Sequence, residues 1–195
     1  AKGGRIIAIN AKGCGGYSRG QTAQLIEFVR EYGAKGLANF KAEQGALVSP
    51  IDKFFSASEL GAIRKALAAE AGDMIFVVAD RQKVASDSMA ALRKHLGRKL
   101  GLIDDRKFNF LWVTDFPLFQ WNDEEKRWES EHHPFTSFHP EDVKTLEGGA
   151  DLHTIRSRSY DLVINGTEIG SGSIRIHQPH LQELIFKTIG IDEEP

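Results

Sequence analysis

Two carboxylates, Asp161 and Glu168, flank an Asn165-Gly166 dipeptide in the run YDLVINGTEIGSGSIRIH, residues 160–177. Asn-Gly between β-rich runs predicts a two-residue hairpin loop, because both central residues of a type I′ turn need positive φ. The turn sets a register in which Ile164 faces Thr167, Val163 faces Glu168, Leu162 faces Ile169 and Asp161 faces Gly170. Alternation then puts Asp161 and Glu168 diagonally on one face. Acids that close raise each other's proton affinity unless a cation lies between them. Mg²⁺, held by one or two carboxylates plus substrate phosphates, suits the pair. Glycines beyond Glu168 leave the strand surface bare, so a purine or a phosphate chain could lie flat against it. The competing reading is a solvent-exposed hairpin whose acids are simply hydrated.

A second cluster is Glu131-His132-His133-Pro134, in which proline stiffens the chain directly after two histidines. Neighbours on a strand point to opposite faces, so His132 and His133 are not expected to ligate one metal together. One ring is free to donate to a ligand carboxylate while the other packs; a satisfied structural histidine is the competing reading. Gly13, Gly15 and Gly16 match neither the Walker spacing nor G-x-G-x-x-G, and predict a flexible connector rather than a phosphate loop. Cys14 has no evident activating base and reads as an inert thiol. Arg93, Lys94, Arg98 and Lys99 recur at helical spacing, the mark of a solvated helix face.

The elements that must position these residues fall into two parts, divided near the polar segment at 102–107. In the first, strands are expected at Arg5–Asn10, Gly36–Lys41 and Met74–Ala79. Helices are expected at Gln21–Tyr32, from a Ser56/Glu59 capping box to about Ala71, and at Ser86–Leu100. Strands and helices alternate irregularly, which predicts a two-layer α+β arrangement. In the second, strands at Phe108–Thr114, Leu118–Trp121 and Trp128–Thr136 join the hairpin in one mainly antiparallel sheet. Helices at Pro140–Glu147 and Pro179–Ile189 would cover one side of it.

Composition sets outer limits. The 195 residues have room for one large domain or two small ones. A hydrophobic content of 41% and a charged content of 27% are ordinary for a globular protein and exclude disordered, collagenous and coiled-coil classes. A net charge of -2 argues against a strongly basic nucleic-acid clamp. The single cysteine forms no internal disulfide, which suits a reducing compartment. No apolar run approaches the roughly 18 residues of a membrane span, and a cytoplasmic protein with no membrane partner is expected.

Four blocks in order, Phe110 to Phe119 (FLWVTDFPLF), His132 to Thr136 (HHPFT), Tyr160 to Gly166 and Glu168 to His177, closely resemble the catalytic domain of bacterial-type aspartyl-tRNA synthetases. The first half resembles their GAD insertion domain, notably at Tyr32 to Leu37, Ser49-Pro50, Glu70 to Asp73 and Ala91 to Arg93. The resemblance implies an α+β fold: a two-layer GAD-like insertion domain over 1–104, then part of a class II antiparallel β-sheet with flanking helices over 105–195. It also implies roles for residues. His132 matches the histidine on the loop over the aspartate substrate. Arg175 matches the arginine that clamps its side-chain carboxylate, with Ser173 and Gly172 lining the pocket floor. Glu168 matches the carboxylate that serves ATP and Mg²⁺, and Asp161 its companion.

Strict alternation would put Arg175 and Glu168 on opposite faces, so a bulge is required and is expected within Gly170–Ser173. Relatives often carry a further glycine where Ser171 stands. The implied substrates are L-aspartate, ATP and tRNA(Asp), in a full-length enzyme that is a homodimer. No F-R-D/E block precedes residue 110 and no glycine-rich block ending in Asp-Arg follows. The expectation is a piece of the synthetase that is inactive alone, with an exposed aromatic sheet surface prone to self-association. Two alternatives stay open: a non-catalytic RNA- or protein-binding module built on the GAD-like half, and an asparagine-type relative. Arg175 argues against the latter, since it prefers an anion to an amide.

Overall fold

A strand buried on both faces reads as an unbroken apolar run, and Met74–Arg81 reads that way over its first half. In the computed structural model, residues 4–149 and 151–191 are described, and the outer limits expected for the two domains, residues 1 and 195, lie outside them. The chain divides into two compact units, Ala1–Asp104 and Asp105–Pro195. Among the described residues no helix is long and apolar enough to cross a membrane.

In the first unit, β1 (Gly4–Ala11), β2 (Ala38–Ala42), β3 (Leu47–Val48) and β4 (Met74–Arg81) form an antiparallel sheet in the order β1-β4-β2-β3. The helices are α1 (Arg19–Arg30), α2 (Ala57–Ala66) and α3 (Gln82–Lys99). Met74, Phe76 and Val78 share one buried cluster with Leu25 and Val29 of α1 and Met89, Leu92 and Leu96 of α3. Ile75 joins Phe40, Ala42 and Leu47 in another, against which Leu60 and Ile63 of α2 pack. The expected α+β class holds. Beyond its two principal layers, α2 covers part of the far face, which is why β4 is apolar at successive positions.

Helix starts follow their caps. Ser56 and Glu59 form the expected capping box. A second box, unread in the sequence, has Ser18 accepting from the Gln21 N–H while the Gln21 side chain accepts from the Ser18 N–H. It starts α1 at Arg19 and draws in residues assigned to the connector. The connector itself is not a flexible stretch. The Gly15 N–H donates to the Gly72 carbonyl at 2.7 Å, and a Cβ at Gly15 would lie 2.6 Å from that same oxygen. Buried Asp73 accepts from the Gly13 N–H at 2.9 Å, and from the Glu70 N–H and the Asn10 amide at 3.0 Å each.

The second unit holds two sheets where one was expected. β5 (Phe110–Thr114), β8 (Ser159–Ile164) and β9 (Thr167–Ser173) form a three-stranded antiparallel sheet in the order β5-β8-β9. β6 (Phe119–Asn122) and β7 (Arg127–Ser130) make a separate hairpin. Between β5 and β6 the chain turns at Asp115, with φ of 58°, and Pro117 then bridges to Arg156. The helices α4 (Val143–Gly148) and α5 (Pro179–Thr188) flank the core around the hairpin, not the three-stranded sheet. That core contains Leu118, Phe119, Phe138, Leu146, Leu152, Ile155, Ile185 and Ile189, none of them from β5, β8 or β9. Phe110, Leu111 and Trp112 are more than half exposed, as the sequence led one to expect of such a surface.

Replacing Asp73 with alanine should leave three donors without their acceptor and lower unfolding stability by about 2–3 kcal/mol. Burial pushes the Asp73 pKa up, but the bonds from Glu70, Asn10 and Gly13 outweigh it and hold the carboxyl below its ordinary value of 3.8. Its stabilising contribution is therefore full above the unfolded pKa and fades as pH falls through the lower folded one. Thermal melts from about pH 6 down to about pH 2 should show a shallower acid limb in Asp73→Asn than in the wild type.

Candidate functional site

The hairpin turn is as its residues require: Asn165 and Gly166 have φ of 50° and 82°. The Asn165 side chain also secures the approach to β5, donating to the Lys107 carbonyl at 2.8 Å and accepting from the Asn109 N–H at 2.9 Å. From the turn the register runs as expected through Ile164 opposite Thr167 and Val163 opposite Glu168. It then slips. Leu162 faces Gly170 rather than Ile169, and Asp161 faces Ser171 rather than Gly170. Ile169 is the extra residue of a β-bulge, which therefore lies one position before the Gly170–Ser173 stretch where it was expected.

The bulge decides which side chains share a face. Asp161 keeps the face of Val163 and hence of Glu168, so the carboxylate pair survives the change of register. Ser171 pairs with Asp161 and Ser173 with Ser159, both on that same face. Past Ser173 the chain continues its ladder with a new partner. Thr136 forms a bridge with Arg175, the Ser137 N–H donates to the Ile174 carbonyl at 2.8 Å, and the Ile176 N–H donates to the Phe135 carbonyl at 3.0 Å. Arg175, two residues after Ser173, thus follows Glu168, Ser171 and Ser173 on one side of the strand.

The opposite face is occupied by the protein. Tyr160 lies over Gly172, where a Cβ would come within 2.6 Å of its hydroxyl oxygen, and its ring meets Trp112 edge-on at 5.8 Å. Gly172 therefore makes room for a tyrosine on that side, where bare backbone for a flat ligand had been anticipated. At Gly170 the surface is open, with nothing within 4 Å of a Cβ built there.

β7 ends at Ser130, short of the strand expected to run to Thr136, so the two histidines lie in the loop beyond it and make separate contacts. His132 is exposed and meets the Phe116 ring edge-on at 5.1 Å. His133 turns to Arg175: its Nδ1 is 3.0 Å from the guanidinium Nη1, and Nε2 contacts the same nitrogen. Thr136, which is buried, closes this group. Its N–H donates to the His133 carbonyl at 3.3 Å, and its hydroxyl donates to the Ser173 Oγ at 3.3 Å. Burial first, then the charges of Arg175 and His132, push the His133 pKa below its ordinary 6.5. The sequence singled out His132, Ser173 and Arg175; it missed the contact to His133 and the role of Thr136. The signal was the strand pairing of 135–137 with 174–176, which two separated motifs do not reveal by themselves.

For a metal, the chain offers Asp161 and Glu168, hard oxygen donors on one face, and among the described residues no group of three or more ligating side chains. Two carboxylates suit Mg²⁺ that brings its own water and phosphate oxygens, rather than a closed protein cage. In the first unit, Cys14 is fully buried, and burial followed by that thiol pushes the neighbouring Tyr17 hydroxyl up to about 12. Arg93, Lys94, Arg98 and Lys99 are exposed on α3. An open groove between α1 and α3 has Phe28 and His95 in its floor, with Lys94 and Arg98 on one rim and Glu27 and Glu31 on the other.

The GAD domain family matches residues 1–89. Over essentially its whole length the chain is also 52% identical to an aspartate-tRNA(Asp/Asn) ligase of Geotalea uraniireducens, covering 100% of this chain and 32% of that protein. It is 48% identical to the enzyme of that name from Desulfatibacillum aliphaticivorans and 49% identical to that of Bacillus cytotoxicus, covering 99% and 98% of this chain and 32% of each relative. The chain carries a GAD domain and is homologous over its whole length to a segment of aspartate-tRNA ligases. It spans about a third of the length of the curated relatives it matches, and its GAD match lies within the first of the two units.

Within that homologous stretch, the Tyr160–Gly172 contact offers a direct test of the hairpin geometry. Gly172→Ala should force the tyrosine ring aside and cost about 1–3 kcal/mol, with a change in Trp112 fluorescence. Gly170→Ala, facing open space, should stay within about 0.5 kcal/mol of the wild type. Urea melts of the two variants check the difference.

Proposed function

We propose that this chain supplies the aspartate- and Mg·ATP-recognising face of an aspartate-tRNA ligase. The observation that carries the reading is the common face: the Ile169 bulge aligns Glu168, Ser173 and Arg175, and Asp161 lies across from Ser171 on the same side. Arg175 would clamp the side-chain carboxylate of L-aspartate, since a guanidinium fork meets both oxygens at once. Ser173 would lie beside it and His132 over the substrate. Glu168 would serve ATP, and Asp161 and Glu168 would hold Mg²⁺; Gly172 lies on the Tyr160 side of the strand, outside that face. When bound, Mg²⁺ supplies positive charge to the phosphates.

Two steps follow. An α-carboxylate oxygen of aspartate bonds to the α-phosphorus of ATP, the bond to the bridging oxygen breaks, and pyrophosphate leaves. A hydroxyl at the 3′ end of tRNA(Asp) then takes the aspartyl group and AMP departs. In the first step the chain's residues act by holding the two reactants in line and matching their charge, with little proton transfer to perform. The family reading carries with it a cytoplasmic, homodimeric parent enzyme. A non-catalytic RNA-binding module is the less favoured reading, because the rims of the α1–α3 groove carry both signs of charge and phosphate binding needs cations together.

In a full-length ligase carrying this segment, Arg175→Leu should weaken aspartate binding about a hundredfold or more and leave ATP binding within a few-fold. Equal loss for both ligands would mean that Arg175 is structural. The 195-residue chain alone should give no aspartate-dependent ATP–pyrophosphate exchange; exchange near the rate of a full-length enzyme would overturn that expectation.

A further inference from the structure

We infer that His133 is a positioning residue for Arg175: its neutral ring accepts from the guanidinium and so fixes where the fork points. The inference deepens the aspartate-clamp reading and depends on it only for the effect on substrate binding. An exposed arginine side chain samples many rotamers, and a carboxylate clamp works only if the planar fork is presented in one orientation. Arg175 is exposed, so its own burial cannot hold it.

Two features bring an acceptor to it. The backbone bridge between Thr136 and Arg175 pins the base of the arginine to the loop that carries His133. The turn from His133 to Thr136, closed by the Thr136 N–H on the His133 carbonyl, folds the imidazole back over the strand. Nη1 then meets the ring. The Phe135 N–H donates to Nδ1 at 3.3 Å, which makes Nδ1 the acceptor of the neutral ring, and the guanidinium shares its lone pair at 3.0 Å. Protonation removes that lone pair and sets two cations face to face. The charged or titratable groups facing the ring are Arg175 from the strand beyond Ser173 and His132 from its own loop, and both disfavour the imidazolium. The ring is thus built to stay a neutral acceptor, and the device has an acid limit. Below that limit the fork is released.

The test has two readouts. In the 195-residue chain, the Arg175 side-chain Nε–H resonance is followed by NMR from about pH 8 to about pH 5, beside the His133 ring protons. Arg175 should shift with the His133 midpoint, below about 6.5. The shift should vanish in His133→Ala, while His133→Gln, which keeps an acceptor, should hold the Arg175 resonance at its high-pH position throughout. An Arg175 resonance that is the same in wild type and His133→Ala overturns the inference, as does one that titrates in His133→Ala. In the full-length ligase, His133→Ala should raise KM for aspartate about tenfold, with KM for ATP unchanged and His133→Gln restoring most of the loss. NMR coupling without any change in KM for aspartate would uphold the positioning role and reject Arg175 as the aspartate clamp, so the two readings fail separately.

Discussion

A strand has a period of two, and that parity governs every functional assignment in the second unit. Glu168 and Arg175 are an odd number of residues apart, so a regular strand would send them to opposite faces. One extra residue, Ile169, changes the parity. Its cost is a locally broken ladder, tolerated because the two residues that follow, Gly170 and Ser171, are small and half of that pair has no Cβ to clash. Upstream of the bulge the face is set by the turn, and downstream by pairing with residues 135–137. Without it, the carboxylates and the guanidinium would not belong to one site at all.

The second requirement is that the end of β9 be held as firmly as its start. At the turn, Asn165 uses both its amide nitrogen and oxygen to tie the hairpin to the approach of β5. At the far end, Thr136 combines a backbone bridge to Arg175 with a side-chain bond to Ser173. Each is a polar group that bonds across the fold to residues distant in sequence. The first unit solves a comparable problem in the same currency: one buried carboxylate, Asp73, collects donors from a strand end, a glycine turn and its own loop.

Features that depend on neighbours in sequence were legible before any coordinates. The Asn165-Gly166 turn, the Ser56/Glu59 cap and the apolar run of β4 each follow from residues within a few positions of one another. Where a decision depended on distant partners, the sequence was silent or misleading. The bulge was required by parity yet placed one residue late, because glycines mark where a bulge is cheap and not where the partner strand forces it. Two adjacent histidines gave no sign of which would meet Arg175. A turn at Asp115 separates β5 from β6, a consequence of a positive φ that Asp adopts only in context. The connector expected over Gly13–Gly20 is tight rather than loose, because Gly15 bonds to Gly72, far along the chain.

Exposure of the three-stranded sheet completes the physical picture. Phe110, Leu111 and Trp112 gain little from burial, so the hydrophobic term that dominates the first unit is weak in the sheet that carries the candidate site residues. What holds them is the ladder, the two polar clamps and the edge-on contact of Tyr160 with Trp112. Such interactions contribute on the order of one kcal/mol each, and they are lost one at a time rather than in a single cooperative event. Local openings should therefore begin in β5, β8 and β9 while β4 stays closed. A face held by a few replaceable polar contacts can open locally and close again without unfolding, which a face locked into a core cannot do.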